Sequence, residues 1–74
     1  MLQKDYRQIY EDIKNENFIL LKPMDVRRLL RLKTNTTYEL FNSDSFPSTT
    51  IGGKNCITKE KLIKWYEKEY AEFL

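Results

Sequence analysis

The sequence contains no histidine and a single cysteine, Cys56, so the residue types that most often carry proton transfer, metal binding and nucleophilic catalysis are nearly missing. One cysteine cannot form an internal disulfide or a cysteine metal cluster. Without a histidine partner, we expect its thiol to be a small buried group rather than a nucleophile. The composition therefore predicts that the protein is not an enzyme and has no catalytic residues, no metal and no cofactor.

Long apolar runs are also lacking. No segment approaches the roughly 20 apolar residues of a membrane-spanning helix, and the N-terminus lacks the pattern of a signal peptide. We expect a cytoplasmic protein in a reducing compartment, with no membrane partner. At 74 residues the chain can form one domain, 1–74, with no room for a substrate cavity beside its core, so no small-molecule substrate is expected.

The net charge of +2 is small, but its distribution is uneven. Cations and carboxylates cancel in residues 1–22 and again in 59–74, so all of the positive excess lies in 23–58. Within that middle segment the cations concentrate between 27 and 33, at Arg27, Arg28, Arg31 and Lys33. A solvated helix face and a phosphate-binding stripe would both produce this cluster.

Apolar periodicity predicts four helices. The first covers about residues 3–16, and the second begins at Pro23, a residue that the first helical turn tolerates well. A tight turn that buries Leu32 leads to a third helix over 34–42, whose several threonines make it weak by intrinsic propensity. Thr58 is a good N-cap for a fourth helix over about 59–73.

Strand signals occur in two places. The apolar run 18–21 is either a strand or an extended buried connector. Residues 48–51 and 54–57 read as strands joined by Gly52 and Gly53, which supply the positive φ values of a two-residue hairpin turn. The hairpin is short and polar, so it must pack on the helices. The predicted fold class is mainly α with a small β-hairpin, in the order helix, helix, turn, helix, hairpin, helix.

Two helices joined by a turn of three to four residues, with a hairpin after the second, predict a winged helix-turn-helix with an added N-terminal helix. The combination of the 31–33 turn, Tyr38-Glu39-Leu40-Phe41, Phe46-Pro47 and Ile51-Gly52-Gly53-Lys54 resembles the excisionase-like, MerR-type winged helix-turn-helix domains of bacteria and their mobile elements. The resemblance covers about residues 24–66. It divides the domain into an N-terminal helix and connector (1–22), a winged helix-turn-helix core (23–66) and a C-terminal helix (58–74).

The resemblance implies that helix 34–42 enters the major groove of DNA, which is wide enough to admit a helix. Asn35 would read an adenine edge. The other implied contacts are to phosphates or a thymine methyl from Thr34, Thr36 and Tyr38, to the DNA backbone from Arg27, Arg28, Arg31 and Lys33, and to a flanking minor groove or phosphate from Lys54 and Asn55.

Simpler roles stay open for several of these residues. Thr34 and Asn35 are also good capping residues at a helix start, and Tyr38 could pack on the wing. Arg28 could pair with a carboxylate instead of a phosphate. Trp65 is expected to be core or a cover over the wing rather than a stacking platform.

Three positions depart from the family pattern. Arg31 occupies the place of the usual turn glycine, so the turn is either strained or built differently. Glu39 stands where many members have a basic residue after the tyrosine, and Thr50 replaces a frequent basic wing residue. These departures lower the expected affinity for DNA, and they leave open that the surface binds protein instead.

The function implied by the resemblance is that of an excisionase of a phage or mobile element in a bacterial host cell. Such a protein bends DNA and assists an integrase, with double-stranded DNA, the recombinase and further copies of itself as partners. The alternatives are a small transcriptional regulator on the same scaffold and a winged-helix protein-interaction module with weak DNA affinity. A terminase small-subunit domain shares the fold but normally continues into an assembly region. The N-terminal helix either completes the core or forms a partner surface.

Overall fold

The computed structural model describes residues 5–74, which form four α-helices and a three-stranded antiparallel sheet. None of the helices in this part of the chain is long and apolar enough to cross a membrane. The predicted class, mainly α with a small β component, is confirmed. In chain order the elements are α1 (Tyr6–Lys14), β1 (Leu20–Leu21), α2 (Pro23–Leu30), α3 (Thr34–Phe41), β2 (Thr49–Ile51), β3 (Lys54–Thr58), α4 (Lys59–Glu69) and a 3₁₀ helix (Ala71–Phe73).

Helices α1 and α4 each begin after a residue whose side chain accepts a hydrogen bond from one of the first free amide groups of the helix. The Asp5 carboxylate accepts from the Gln8 N–H at 3.0 Å, and the Thr58 hydroxyl accepts from the Lys61 N–H at 3.2 Å, as expected for Thr58. In the region described, α1 starts at Tyr6; positions 3 and 4 of the predicted 3–16 helix lie outside it. The C-terminal helix is shorter than predicted, because α4 ends at Glu69 and a separate 3₁₀ turn follows.

The sheet has the strand order β1-β3-β2. The predicted hairpin is present, and Gly52 and Gly53 have φ values of 59° and 78°, which a two-residue turn between Ile51 and Lys54 requires. Of the two interpretations of the 18–21 run, the strand is correct, but only for Leu20 and Leu21. Only Leu21 is buried; Phe18, Ile19 and Leu20 are exposed, so the run is not a buried connector.

Packing of α1 against α4 closes the core. Ile9 and Ile13 of α1 are fully buried, and Tyr66 of α4 is 1% exposed. The Tyr66 hydroxyl donates to the backbone carbonyl of Tyr6 at 2.8 Å, and the Tyr6 ring stacks on that of Tyr70 with 5.0 Å between centroids. The interpretation that the N-terminal helix completes the core is therefore confirmed.

Phe46 links α3 to α4 from the loop between α3 and β2. Its ring is 3% exposed and meets Phe41 and Trp65 edge-on, with centroid separations of 5.0 Å and 4.9 Å. Trp65 is partly buried against the core, as expected, and its Nε1 has no hydrogen-bond partner among the described residues. Pro47 follows directly, so the buried ring fixes where the chain turns toward the hairpin.

The buried Tyr66 hydroxyl predicts a specific loss of stability at high pH. Burial raises the pKa of Tyr66 to about 12, above the value of 10.0 for a free tyrosine. Because the pKa is higher in the folded state than in the unfolded state, the neutral Tyr66 phenol contributes to the free energy of unfolding. This contribution is complete below about pH 10 and is lost as pH rises toward 12. We expect Tyr66→Phe to cost about 1 kcal/mol at pH 7 through the lost hydrogen bond. Urea unfolding of both proteins at several pH values should show this gap closing between pH 10 and 12. A gap that stays constant with pH would contradict the assignment.

Candidate nucleic-acid interface

The turn between α2 and α3 sets the direction of α3. Arg31 ends α2 in the left-handed region, at φ 57° and ψ 47°, and is the only residue other than glycine with positive φ in residues 5–74. The N–H groups of Arg31 and Leu32 both donate to the Arg27 carbonyl, the latter at 3.0 Å. Of the two possibilities raised by the missing glycine, the turn is therefore the strained one, since a side chain in this conformation costs about 1–2 kcal/mol.

Helix α3 turns a polar face to solvent. Thr37 and Phe41 are buried and Leu40 packs on the core, so these three residues form the inner face of α3. The buried Thr37 hydroxyl is satisfied by the Lys33 carbonyl at 2.9 Å. The side chains left exposed on this helix are those of Thr34, Asn35, Thr36, Tyr38 and Glu39.

The capping alternative for Thr34 and Asn35 is wrong. Lys33 is the N-cap residue of α3, and its side chain makes no capping hydrogen bond. Thr34 is the first helical residue, and its hydroxyl accepts from Nε of Arg27 at 3.3 Å instead. Asn35 is the second helical residue and is exposed, so its side-chain amide is accessible for hydrogen bonds to a ligand.

Two of the four clustered cations pair with carboxylates, which lie in α1, in the segment just after it and in α2. The Arg28 guanidinium lies 3.2 Å from Glu16, whose side chain is only 11% exposed, and 4.0 Å from Asp25. The Arg31 guanidinium lies 3.5 Å from Asp12. The carboxylate alternative for Arg28 is therefore the observed arrangement. Glu16 lies beyond the end of α1 at Lys14, so the four-residue spacing from Asp12 does not place the two carboxylates on one helix face, and no pattern in the sequence indicates this pairing.

Arg27, Lys33 and Lys54 form no salt bridge with any residue that the structure describes. Lys33 and Lys54 are exposed, the first at the start of α3 and the second directly after the hairpin turn. Asn55 is partly buried, and its side-chain oxygen accepts from the Thr50 hydroxyl across the hairpin at 3.4 Å. Arg27 and Lys33 of the basic cluster, together with Lys54 of the hairpin, are the cations available to an anion, and we call these three the unpaired cations.

The hairpin is tied to the end of α3 through the loop that joins them. The Ser48 hydroxyl donates to the Phe41 carbonyl at 3.2 Å, and the Ser48 N–H donates to the Phe46 carbonyl at 2.8 Å. Arg27 and Thr34 are in direct contact, whereas Lys54 and Asn55 lie on the hairpin, whose main neighbours are β1 and α4. The predicted site residues thus occupy two surfaces, one around the start of α3 and one at the hairpin turn.

The chemistry available at these surfaces is hydrogen bonding and charge. Guanidinium, ammonium, amide, hydroxyl and phenol groups can donate to phosphate oxygens or base edges. Glu39 is exposed on α3 and opposes this. No group of three or more histidine, cysteine or carboxylate side chains in residues 5–74 is arranged to hold a metal ion, and Cys56 is buried.

Comparison with known proteins adds no relative: no family model, no curated protein and no solved structure matches this chain.

The left-handed turn predicts the effect of restoring glycine. Arg31→Gly and Arg31→Ala both remove the exposed pair with Asp12, but only glycine removes the Cβ that strains a positive φ. We expect the glycine variant to be more stable than the alanine variant by about 1 kcal/mol. Chemical denaturation of both variants at pH 7 measures the difference, and equal stabilities would mean that Arg31 is not held left-handed in solution.

Proposed function

We propose that this chain is a winged helix-turn-helix protein that binds double-stranded DNA, with α3 in the major groove and the β2–β3 hairpin as the wing. The observation that carries the proposal is the exposed polar face of α3, which begins directly after a three-residue turn and has Arg27 and Lys33 beside its first residues. A weak helix that is held by packing and keeps hydrogen-bonding groups outside fits a recognition role.

The order of the elements supports the proposal. Helix α3 follows α2 after residues 31–33, and the hairpin follows α3 within one loop. The short strand β1, between α1 and α2, adds to β3 at the base of the hairpin and secures it to the helices. This arrangement leaves the turn at Gly52 and Gly53 exposed at the free end of the hairpin.

Charge pairing sets the strength of the expected binding. Exposed ion pairs are worth about 0–1 kcal/mol, so Arg31, 51% exposed and facing Asp12, can exchange its partner for a phosphate at little cost. Arg28 is held more firmly, because Glu16 is mostly buried. The electrostatic attraction then comes chiefly from the unpaired cations, and moderate, strongly salt-dependent affinity follows.

Within DNA binding, we propose the role of an excisionase that bends DNA beside an attachment site and assists an integrase. Regulation of transcription on the same scaffold is the second proposal for the DNA-bound protein. The two differ in the sites they predict: the first requires repeated sites near an attachment site, and the second requires sites in a promoter.

The test measures binding of the protein to a generic DNA duplex by fluorescence anisotropy at a series of salt concentrations. Removing phosphate contacts lowers the number of counterions released, by about one unit of salt slope for each contact. We expect Lys33→Ala/Lys54→Ala to weaken binding at low salt and to lower the slope by about two.

The matched control is Lys61→Ala/Lys68→Ala, which removes the same charge from exposed lysines of α4. We expect this control to change the slope little, since α4 does not contribute to the proposed interface. Equal effects of the two double variants would show that binding follows overall charge and not the proposed surface. Absence of binding by the folded protein at low salt would refute DNA binding.

Glu39 gives a prediction in the opposite direction. Its carboxylate is exposed on α3 and would face the DNA backbone, so Glu39→Lys exchanges repulsion for attraction. We expect at least a tenfold rise in affinity at low salt and a steeper salt dependence, whereas Glu69→Lys on α4 should produce a smaller change. If both variants behave alike, α3 is not the surface in contact with DNA.

A protein-interaction module is the second candidate function. Two observations favour it. Half of the Tyr38 surface is accessible beside the exposed Glu39, and carboxylates neutralise Arg28 and Arg31. Under this proposal the salt series shows no binding, and α3 remains an exposed face for a protein partner.

A further inference from the structure

An exposed apolar ridge lies at the opposite end of the sheet from the hairpin turn. Phe18, Ile19 and Leu20 are 63%, 79% and 44% exposed, and Met24 at the start of α2 is 71% exposed. Four side chains of this size present on the order of 400 Å² of apolar surface, comparable to the largest apolar patch on a typical monomeric protein, which is often functional. We call residues 18–20 and Met24 the β1 ridge.

An open groove of about 490 Å³ adjoins the ridge at Ile19. Its apolar floor includes Ile63 of α4. The charged residues around it are two lysines and two glutamates, Lys59, Glu60, Lys64 and Glu67. The groove therefore carries no net charge, and its charges alternate along α4.

This charge pattern indicates the kind of occupant. A basic groove would favour DNA, an acidic peptide or an anionic membrane, and an acidic groove would favour a basic peptide. A surface with equal numbers of both charges is complementary to itself, because a two-fold axis can bring a lysine of one copy to a glutamate of the other. The balanced groove thus favours a second copy of this chain.

The backbone of β1 gives the second argument. The Lys59 N–H donates to the Ile19 carbonyl at 2.7 Å, and Leu20 lies opposite Thr58 in the antiparallel register. In this register the N–H and C=O of Leu20 point away from β3, at the free edge of the sheet. An edge strand of this kind can accept another strand, and a two-fold axis through it would pair β1 with its own copy in antiparallel fashion.

We propose that the β1 ridge and its groove form a two-fold interface between two copies of this chain. Each copy places Ile19 against the groove of the other, β1 pairs with β1, and Lys64 meets Glu60 across the axis. A standard interface buries roughly 800 Å² on each partner. The β1 ridge and the rim of the groove together would bury an area at the low end of that range. Interfaces at this end of the size range are typical of weak complexes, so we expect a weak, reversible dimer.

The position of the interface leaves the other surfaces free. Strand β1 pairs with Ile57 and Thr58 at the end of β3, whereas Lys54 lies at its beginning beside the hairpin turn. Met24 is in the first turn of α2, whereas Lys33 and the turn to α3 lie beyond the other end of that helix. Dimer formation therefore does not depend on DNA binding, and the proposal stands or falls without it.

The first test is sedimentation equilibrium of the whole chain at several concentrations, without DNA. We expect reversible dimer formation and at least a tenfold rise in Kd for Ile19→Ser, because each copy loses a buried isoleucine side chain. Ile51→Ser is the matched control, since Ile51 is 56% exposed on the hairpin and away from the ridge. A wild-type chain that stays monomeric up to about 0.5 mM, or equal effects of the two variants, overturns the proposal.

The second test uses charge exchange. Lys64 and Glu60 form an exposed pair within one copy at 3.4 Å, with side chains 73% and 80% exposed, so changing either one leaves the core intact. Lys64→Glu and Glu60→Lys should each weaken self-association severalfold, because like charges then meet across the axis. An equimolar mixture of the two variants should associate more tightly than either alone. No recovery in the mixture overturns the two-fold arrangement.

Discussion

The ring of Tyr66 is the contact on which the arrangement of the helices depends. A chain of 74 residues buries a small core, and each helix can bury only one face in it. Tyr66 belongs to the same buried cluster as Leu62 and the α1 isoleucines, and its hydroxyl donates a hydrogen bond to a backbone carbonyl of α1. Because α1 and α4 are far apart in the chain, their contact closes the domain around α2, α3 and the sheet.

The surface is organised by pairing of charges. The sequence concentrates cations between residues 27 and 33, yet the fold sets Asp12 of α1 and Glu16, just after α1, beside two of them. The positive surface that remains is smaller than composition suggests and is divided between the start of α3 and the hairpin turn. Any anion bound here would be held by a few contacts, and its affinity would depend strongly on ionic strength.

Most of the fold could be predicted from local patterns. Helical periodicity, the Thr58 cap and the Gly52-Gly53 turn each determine a structure within a few residues, and all three are present. Sequence reasoning failed where the answer depends on distant residues. Nothing near 18–21 indicates that Leu20 pairs with Thr58, and the end of α4 at Glu69 depends on how the C-terminal aromatic residues stack on Tyr6.

The candidate site shows the same limit. Composition locates the basic cluster, and the DNA contacts implied by the resemblance require Asn35, Thr36 and Tyr38 to be at the surface, where all three lie. Which cations are neutralised depends on the packing of α1, a tertiary contact that the sequence does not state. The strain at Arg31 was one of two possibilities in the sequence, and only backbone geometry distinguishes them.

The edge-on contact between Phe46 and Trp65 gives this protein a built-in optical reporter. Trp65 is the only tryptophan in the chain, so its emission comes from one place, the point where the loop after α3 rests on α4. If α3 and this loop detach while α1 and α4 stay packed, tryptophan emission will change before the far-ultraviolet circular dichroism does. Tryptophan fluorescence can therefore distinguish local opening of α3 from global unfolding without an added label.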